Sequence, residues 1–549
     1  MAEGVSRRDR WLLWGLVAWG VAVRLGLASL PRVIRWDEPD YLWLGRSLFS
    51  GQGYTIGPHP DLHYTPLLPV LVGPLTRLLP DLEWASAFWY VVLGAALVWP
   101  VYALGRAIFG PSVARGAAVY TACFPALTVL PLYWGTMTEP PYLVLLFVGL
   151  YAARRAWREG GLRNHALAGA TLALAYLVRP EGALAFAGVA AFLLAAAGLG
   201  RRDRDRARWA RFGAFLLAWL LVAGPYLLYL RAESGRWLLT GKVGVTLALG
   251  EGVLDRDPAT YDRAIASLDA EGEEIIWFSP ERFREPGLLQ QVRADPGAVV
   301  RRVAYNLRAW YGAFFILRMF PAPFAILVAL GLFAVPWTRH RAADNLFLAL
   351  ACLPPFAFLF LHVEARFFAP LLPILLLWAA AGTEVLARWL RETWGQLRQG
   401  GAGREGAPWL GFVPWAAAVL FLLALWPGTL AVGRATLDFG HKEMGLWLRE
   451  HTPPDAVVMA RDLAVPLYAG RGYAPAPHAS FQEIVRYAQR RGASYWATDA
   501  YELTRIKPHL AYLLDPGQRP PGLEVVYQVE SPHGLNVVFR LPVGEGGAP

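Results

Sequence analysis

Apolar runs long enough to cross a lipid bilayer recur along most of this chain, and nothing else in the sequence limits its fold as much. A hydrocarbon core about 30 Å thick is spanned by roughly 20 helical residues. Inside lipid, only helices and closed barrels pair every backbone amide and carbonyl. Eleven runs, to within one or two, meet this description: Trp11–Leu30, Trp84–Ile108, Ser112–Leu130, Pro140–Tyr151, Ala166–Val178, Gly182–Leu199, Phe212–Leu230, Phe320–Trp337, Leu346–Leu361, Phe367–Leu386 and Trp409–Leu430. The expected fold is an all-α polytopic membrane protein with about 11 transmembrane helices. Composition agrees, since 17% of residues are charged and 56% hydrophobic, against about 25% charged in soluble domains. The stretch Thr65–Leu79 is short and broken by Pro66, Pro69 and Pro74, so it is expected to lie in the interface. The first run reads as a retained anchor rather than a signal peptide, because it lacks a small-residue cleavage site.

The net charge of +10 gives no reason to expect a nucleic-acid partner; its distribution along the chain is what carries information. With Arg7, Arg8 and Arg10 placed in the cytoplasm, the inside loops carry Arg106, Arg115, Arg154, Arg155, Arg158 and Arg163, the cluster from Arg201 to Arg211, Arg339, Arg341, Arg388, Arg391, Arg398 and Arg404. The three short outside loops hold only Arg179 and Arg366. Positive residues mark the cytoplasmic side, so the expected site is a plasma membrane, multi-pass, with the long segments facing outward. Cys123 and Cys352 both fall in apolar runs and form neither a disulfide framework nor a zinc site.

Two domains are expected. Residues 1–432 form the polytopic part, with long outside loops at about 31–83 and 231–305, the second polar, partly helical and mobile. Residues 433–549 change composition. Leu437–His451 and Ser480–Arg491, the latter capped and closed by Gly492, read as amphipathic helices. Ala456–Ala460 and Ser494–Thr498 read as strands, and Leu523–Val529 with Leu535–Leu541 as a hairpin around Pro532-His533-Gly534. This is a small extracytoplasmic α/β domain. No nucleotide-binding glycine motif is present.

The residues able to carry chemistry gather at the outer ends of the runs. Asp37 and Glu38 follow the first run; Glu139, Arg179-Pro180-Glu181 and His362-Val363-Glu364-Ala365-Arg366 occupy the short outside loops, and Lys242 and Arg236 lie in the second long one. Each has a plain structural reading: a solvated acid, a helix start favoured by the N-terminal dipole, a turn, or a local ion pair. Arg24, inside the first run, either snorkels or faces a polar cavity. Together they make up an inventory for binding a lipid-linked phosphate and deprotonating a hydroxyl: arginines match phosphate oxygens, and one of two neighbouring carboxylates works as a base. Asp37, Glu139 and His362 are equally a set for a divalent cation, the candidate cofactor; Glu364 is a further candidate for acceptor or metal.

These motifs, in this order, resemble the GT-C superfamily of polyprenyl-phosphate-sugar-dependent glycosyltransferases, in its branch of protein O-mannosyltransferases, lipid A aminoarabinose transferases and Rgt-like enzymes. The resemblance runs through Asp37-Glu38, Glu139, Arg179-Pro180-Glu181, the stretch Glu364–Pro373 and the tail Leu446–Ala456. It implies an inverting transferase that moves a hexose or pentose from a polyprenyl-phosphate donor to a hydroxyl on a glycan, lipid or protein acceptor at the outer face. Asp37 would be the catalytic base and Glu139 an acceptor or metal residue; Arg179, Arg366 and Lys242 are the phosphate ligands expected from the charge inventory, not from the resemblance. Two departures matter. Tyr64-Thr65-Pro66 stands where aminoarabinose transferases carry Lys-Pro-Pro, and no large domain interrupts the second loop, which disfavours a protein acceptor. The alternative reading is a transporter or lipid flippase, which predicts ionisable groups near the midplane and an inverted repeat.

Overall fold

The computed structural model describes residues 5–79, 81–198, 206–279, 288–398 and 408–542. Part of the arginine cluster expected inside (199–205), the stretch 399–407 with Arg404, and residues 280–287 of the second long loop lie outside the described residues.

All eleven apolar runs are helical over most of their length. The helices that carry them are α1 (Arg7–Ala28), then, after the outer helix α2 (Glu38–Phe49), α3 (Leu82–Phe109), α4 (Pro111–Cys123), α5 (Glu139–Glu159), α6 (Leu162–Val178), α7 (Gly182–Gly198) and α8 (Arg206–Ser234). The chain then leaves the bundle through α9 (Lys242–Asp255), α10 (Pro258–Ala266) and α11 (Pro296–Phe314). It returns through α12 (Ala322–Phe333), α13 (Arg339–Ala351), α14 (Leu371–Arg398) and α15 (Trp409–Ala435). Among the described residues, five of these helices (α1, α3, α8, α14 and α15) are long and apolar enough to cross a bilayer alone, and α13 with the bent turn Pro354–Phe360 makes up to six. The count of about 11 full-length helices is therefore not reproduced by length. Several crossings are shortened by proline or charge, as at Phe124-Pro125, where α4 stops and a new turn begins. The protein is a mostly helical, multi-pass membrane protein.

Arg24 does not snorkel to the surface. Its buried guanidinium donates to the Leu127 carbonyl at 2.8 Å and the Gly20 carbonyl at 3.2 Å and lies over the Tyr90 ring at 5.7 Å. Leu127 belongs to the broken turn after α4, so the arginine satisfies a carbonyl that the break exposes.

Beyond α15 the chain forms α16 (Gly440–His451), α17 (Ala464–Ala469) and α18 (Phe481–Arg490), with Ser480 and Glu483 closing a capping box at the start of α18. Two short strands in the first loop are β1 (Thr55–Ile56) and β2 (His59–Pro60). The tail contributes β3 (Val457–Ala460), β4 (Gly472–Pro475), β5 (Ala493–Asp499), β6 (Glu524–Ser531) and β7 (Gly534–Arg540), ordered β4-β3-β5-β7-β6. β3 runs parallel to both β4 and β5, whereas β5, β7 and β6 are antiparallel. The parallel pairs are joined through α17 and α18, as crossover connections require. Trp496, Phe539, Ile484 and Leu513 fill the core on one face.

The two long loops and the tail pack on one another at the same end of the bundle. Glu83, at the start of α3, accepts from Lys442 and from the Tyr468 hydroxyl, both at 2.6 Å. Asp262 of α10 is buried against Arg461 at 2.9 Å and His478 at 3.0 Å. Glu274 joins His59 of the first loop, at 2.7 Å, to Tyr487 and Arg491 of α18.

Within the tail, His441 stands between Asp462, at 3.1 Å from Nδ1, and Asp499, at 3.0 Å from Nε2. Burial disfavours the imidazolium, but the two carboxylates outweigh it and push the pKa well above the usual histidine value. A raised folded-state pKa means that the stabilisation is complete below about pH 6.5 and is lost as pH rises through the raised value. The melting temperature of the tail should therefore fall on alkalinisation above pH 6.5 in the parent protein and fall less in His441→Gln, as read by scanning fluorimetry at fixed ionic strength; equal pH dependence would remove His441 as the cause.

Candidate active site

Helix α2 begins where the chain leaves α1, and the way it begins fixes the first candidate. Asp37 is the residue before the helix and Pro39 sits in its first turn, where a missing N–H costs nothing. Trp36 holds φ at 56°, a left-handed conformation uncommon for a bulky residue, and Met137 does the same at 55° in the facing loop. Gly135 makes the approach between these loops possible. It has φ 67°, and a Cβ there would fall 2.8 Å from the Arg35 carbonyl and 2.7 Å from Trp36. The Gly135 carbonyl accepts the Glu38 amide at 2.9 Å. Two non-glycine residues in costly conformations thus flank the two acid-bearing loops, and such strain concentrates at functional sites.

Asp37 opens onto two chambers that meet beside it. The first, with a cavity volume of about 310 Å³, is walled by apolar side chains together with Arg179, Lys242, Glu364 and Arg366. The second, about 640 Å³, reaches toward the tail and is lined by Trp36, Asp40, His362, Arg461, Asp462 and Tyr473 among others. Asp37, Tyr64, Tyr261, Trp277, Glu364 and Arg366 border both.

The cations converge on this junction. Lys242 Nζ lies 3.4 Å and the Arg366 guanidinium 3.8 Å from Asp37 Oδ2. Lys242 is delivered by the first turn of α9, which is pinned where the Gly241 amide donates to the Leu62 carbonyl at 3.0 Å. A Cβ on Gly241 would come within 2.3 Å of that oxygen, so only glycine permits this approach. Arg366 donates from Nε to Glu364 at 2.6 Å, and among the described residues its terminal amino groups make no hydrogen bond. Burial raises the pKa of Glu364, but Arg366 and then His362 outweigh this and hold it below the usual carboxylate range. Arg179 donates to Glu139 at 2.6 Å, Thr138 at 3.0 Å and Glu181 at 2.8 and 3.1 Å. The Phe367 ring lies between the two arginines, 5.8 Å from Arg179 and 5.3 Å from Arg366.

The structure brings Asp37, Arg179, Lys242, Glu364 and Arg366 to the first chamber and turns two expected residues away from it. Glu38, expected to be catalytic beside Asp37, is buried; it pairs with Arg32 and accepts from Ser86. Successive helical residues point about 100° apart, so the neighbour of Asp37 in sequence faces α3 instead of the cavity. Glu139, also expected to be catalytic, is buried behind Arg179, with its second oxygen on Thr136 at 2.8 Å. It orients an arginine and borders neither chamber. His362 borders only the second chamber and stands 3.6 Å from Glu364. The expected metal set does not assemble: among the described residues no group of three or more His, Cys, Asp or Glu is placed to hold a metal ion, and Asp37 and Glu139 face cations of the protein.

One acid was missed. Asp40 lies one turn from Asp37 on α2 and lines the second chamber. Burial, then the charges of Asp37, Asp462 and Asp61, push its pKa well above the usual carboxylate value. Its spacing of three from Asp37, with the helix starting at that point, was the available signal. Arg461 and Asp462 come from the tail and carried no signal in sequence.

Residues 59–229 match the dolichyl-phosphate-mannose-protein mannosyltransferase family. Comparison with curated proteins finds no match. Among solved structures, the chain is similar to the oligosaccharyltransferase of Archaeoglobus fulgidus in its apo form, with 15% identity and TM-score 0.56 over 99% of this chain and 76% of that one. The same archaeal protein, AglB, in complex with an inhibitory peptide and a dolichol-phosphate gives TM-score 0.54 at 15% identity, over 99% of this chain and 75% of that one. ArnT from Cupriavidus metallidurans bound to undecaprenyl phosphate gives TM-score 0.52 at 12% identity, over 98% and 99% of the two chains. The chain therefore shares the fold of these proteins over nearly its whole length, and the family match at 59–229 agrees with the resemblance to the GT-C superfamily.

If Glu38 is an anchor, Glu38→Ala leaves Arg32 buried and unpaired, a change that costs about 3–5 kcal/mol. The variant should melt at a lower temperature or fail to accumulate. A Glu38→Ala protein of parental stability would contradict the anchoring role.

Proposed function

We propose that this protein transfers a glycosyl group from a polyprenyl-phosphate carrier to a hydroxyl acceptor, with inversion at the anomeric carbon, on the outer face of the plasma membrane. The observation that carries the reading is the position of Asp37, at the junction of two chambers and beside two cations. An acceptor oxygen entering from the second chamber attacks the anomeric carbon while Asp37 takes its proton. The bond from that carbon to the phosphate oxygen breaks, and the polyprenyl phosphate leaves into the first chamber with the bonding electrons. Arg366 and Lys242 stabilise the charge as it develops, which is the effect expected of preorganised cations in a site screened from water. The N-terminus of α9 opens onto the same chamber and favours an anion there. Arg179, held on three sides by Glu139, Thr138 and Glu181, presents its remaining N–H to the same volume. The apolar walls suit the first isoprene units of a lipid carrier.

The family match and the dolichol-phosphate and undecaprenyl phosphate named for the similar structures support the carrier. The arginine distribution in the sequence supports the outer face. The donor sugar is a hexose or pentose in this reading. In this reading Lys242 and Arg366 supply the positive charge that the departing phosphate needs.

Replacing Asp37 with Asn should lower transfer by about 10²–10⁴-fold, the usual contribution of a general base, in a protein that still folds and binds undecaprenyl phosphate. More than about a tenth of parental transfer in this variant would remove Asp37 from the base role. Arg366→Ala should instead weaken undecaprenyl phosphate binding at least tenfold, measured by the lipid concentration that shifts the melting temperature; unchanged lipid binding would take the phosphate away from Arg366.

A further inference from the structure

We propose that the second chamber binds a carbohydrate, so that the acceptor hydroxyl belongs to a sugar and not to a polypeptide or a bare lipid; this rests on the glycosyl-transfer reading above. The chamber, about 640 Å³, falls within the roughly 300–1,000 Å³ of small-molecule sites. Its walls combine two kinds of group that a pyranose ring uses at once. Flat aromatic faces, which the apolar C–H surface of a sugar covers, come from Trp36, Trp277 and Tyr473. Hydrogen-bonding groups come from Asp40 on α2 and from Arg461 and Asp462 of the tail.

Trp36 is the most telling of the aromatics. It is 69% exposed and held at φ 56° next to Asp37. Its indole packs at one side near Gly135 and otherwise lies open along the chamber wall, so its face is available to a ligand. Asp40 adds the second argument. Among the described residues it forms no ion pair, whereas Asp37, one turn away, faces two cations. The Asp40 carboxyl lines the chamber with no cation set against it and so offers its oxygens to ligand hydroxyls, and burial with the neighbouring acids raises its pKa, which favours such neutral partners over a cation.

The chamber is poorly suited to an extended peptide. Such ligands take hold by adding a strand to a free sheet edge, and the edge that reaches this chamber is β4, through Tyr473 and Pro475. Pro475 has no N–H to offer. The outer side of β4 is covered by the β1–β2 turn, where a Cβ built on Gly57 would stand 3.7 Å from the Tyr473 carbonyl. Nor is the chamber an apolar slot for a lipid tail, given Asp40, Asp462 and Arg461 in its wall.

The test is saturation-transfer NMR on the full-length protein in nanodiscs. The probes are the methyl glycosides of mannose, glucose, galactose, N-acetylglucosamine, rhamnose and arabinose, with a serine- and threonine-containing decapeptide as comparator. Undecaprenyl phosphate binding is followed separately by its effect on the melting temperature. At least one glycoside should give saturable transfer, weakened at least tenfold in Trp36→Ala and in Asp40→Ala, while undecaprenyl phosphate still raises the melting temperature of both variants. Absence of transfer to every glycoside, or transfer to the decapeptide instead, with lipid-phosphate binding intact, would overturn the carbohydrate acceptor and leave the transferase reading standing. Loss of lipid-phosphate binding in the parent protein would bring down both.

Discussion

The buried pair between Arg32 and Glu38 is the contact on which the geometry of the site depends. Arg32 reaches across to the Glu83 carbonyl at 2.7 Å while its other amino group holds Glu38, which also accepts from Ser86. This fixes the first turn of α2 against the start of α3, and Asp37, one residue earlier, is fixed with it. The side chain of Glu83 continues the network outward to Lys442 and Tyr468, and the Tyr468 hydroxyl accepts the Ile34 amide at 2.9 Å. One chain of polar contacts therefore sets the acid, the membrane helices and the tail domain in a common frame. Groups buried in this way are costly to leave unpaired, and their pairing gives the frame a single arrangement.

Given that frame, the two acids of α2 work under different electrostatics. Asp37 stands against Lys242 and Arg366, whereas burial and then the charges of Asp37, Asp462 and Asp61 push the pKa of Asp40 well above the usual carboxylate value. Environment thus distinguishes two carboxyls one helical turn apart, one set against two cations and the other with its pKa raised by burial and neighbouring acids. The cations are arranged with similar economy. Arg179 gives all but one of its N–H groups to Glu139, Thr138 and Glu181 and acts as a rigid wall, while Arg366 makes one hydrogen bond, to Glu364, and turns a terminal amino group toward Asp37 at 3.8 Å.

Much of this was legible in the sequence, for reasons that also mark its limits. Span length and positive charge are one-dimensional properties, and they led to a helical membrane protein with its polar loops gathered at one end. Asp37, Arg179, Glu364 and Arg366 stood out because ionisable groups at the ends of apolar runs are conspicuous against so little charge, and Lys242 was noted only as a cation of the second long loop. What failed was direction. Asp37 and Glu38 are neighbours in sequence but face different ways on α2, and Asp40 shares the face of Asp37 because a helix repeats every 3.6 residues. Glu139 was placed at the chemistry because its pairing with Arg179, forty positions away, depends on how α5 and α6 pack. The strand β4 was missed because its four residues end in proline and make sense only beside β3. Helix length does not confirm the count of crossings, because Phe124-Pro125 and the bend before Pro354 divide apolar runs that hydropathy reads as continuous.

The central claim is spatial: donor phosphate on one side of Asp37, acceptor on the other. Its most direct test is a cryo-electron-microscopy structure of the protein with a non-hydrolysable polyprenyl-phosphonate sugar. The account predicts the phosphonate in the first chamber, within hydrogen-bond distance of Arg366 and Lys242, with the anomeric carbon turned toward Asp37 and the second chamber open behind it. A phosphonate bound away from Arg366, or a sugar whose anomeric carbon faces away from Asp37, would contradict it.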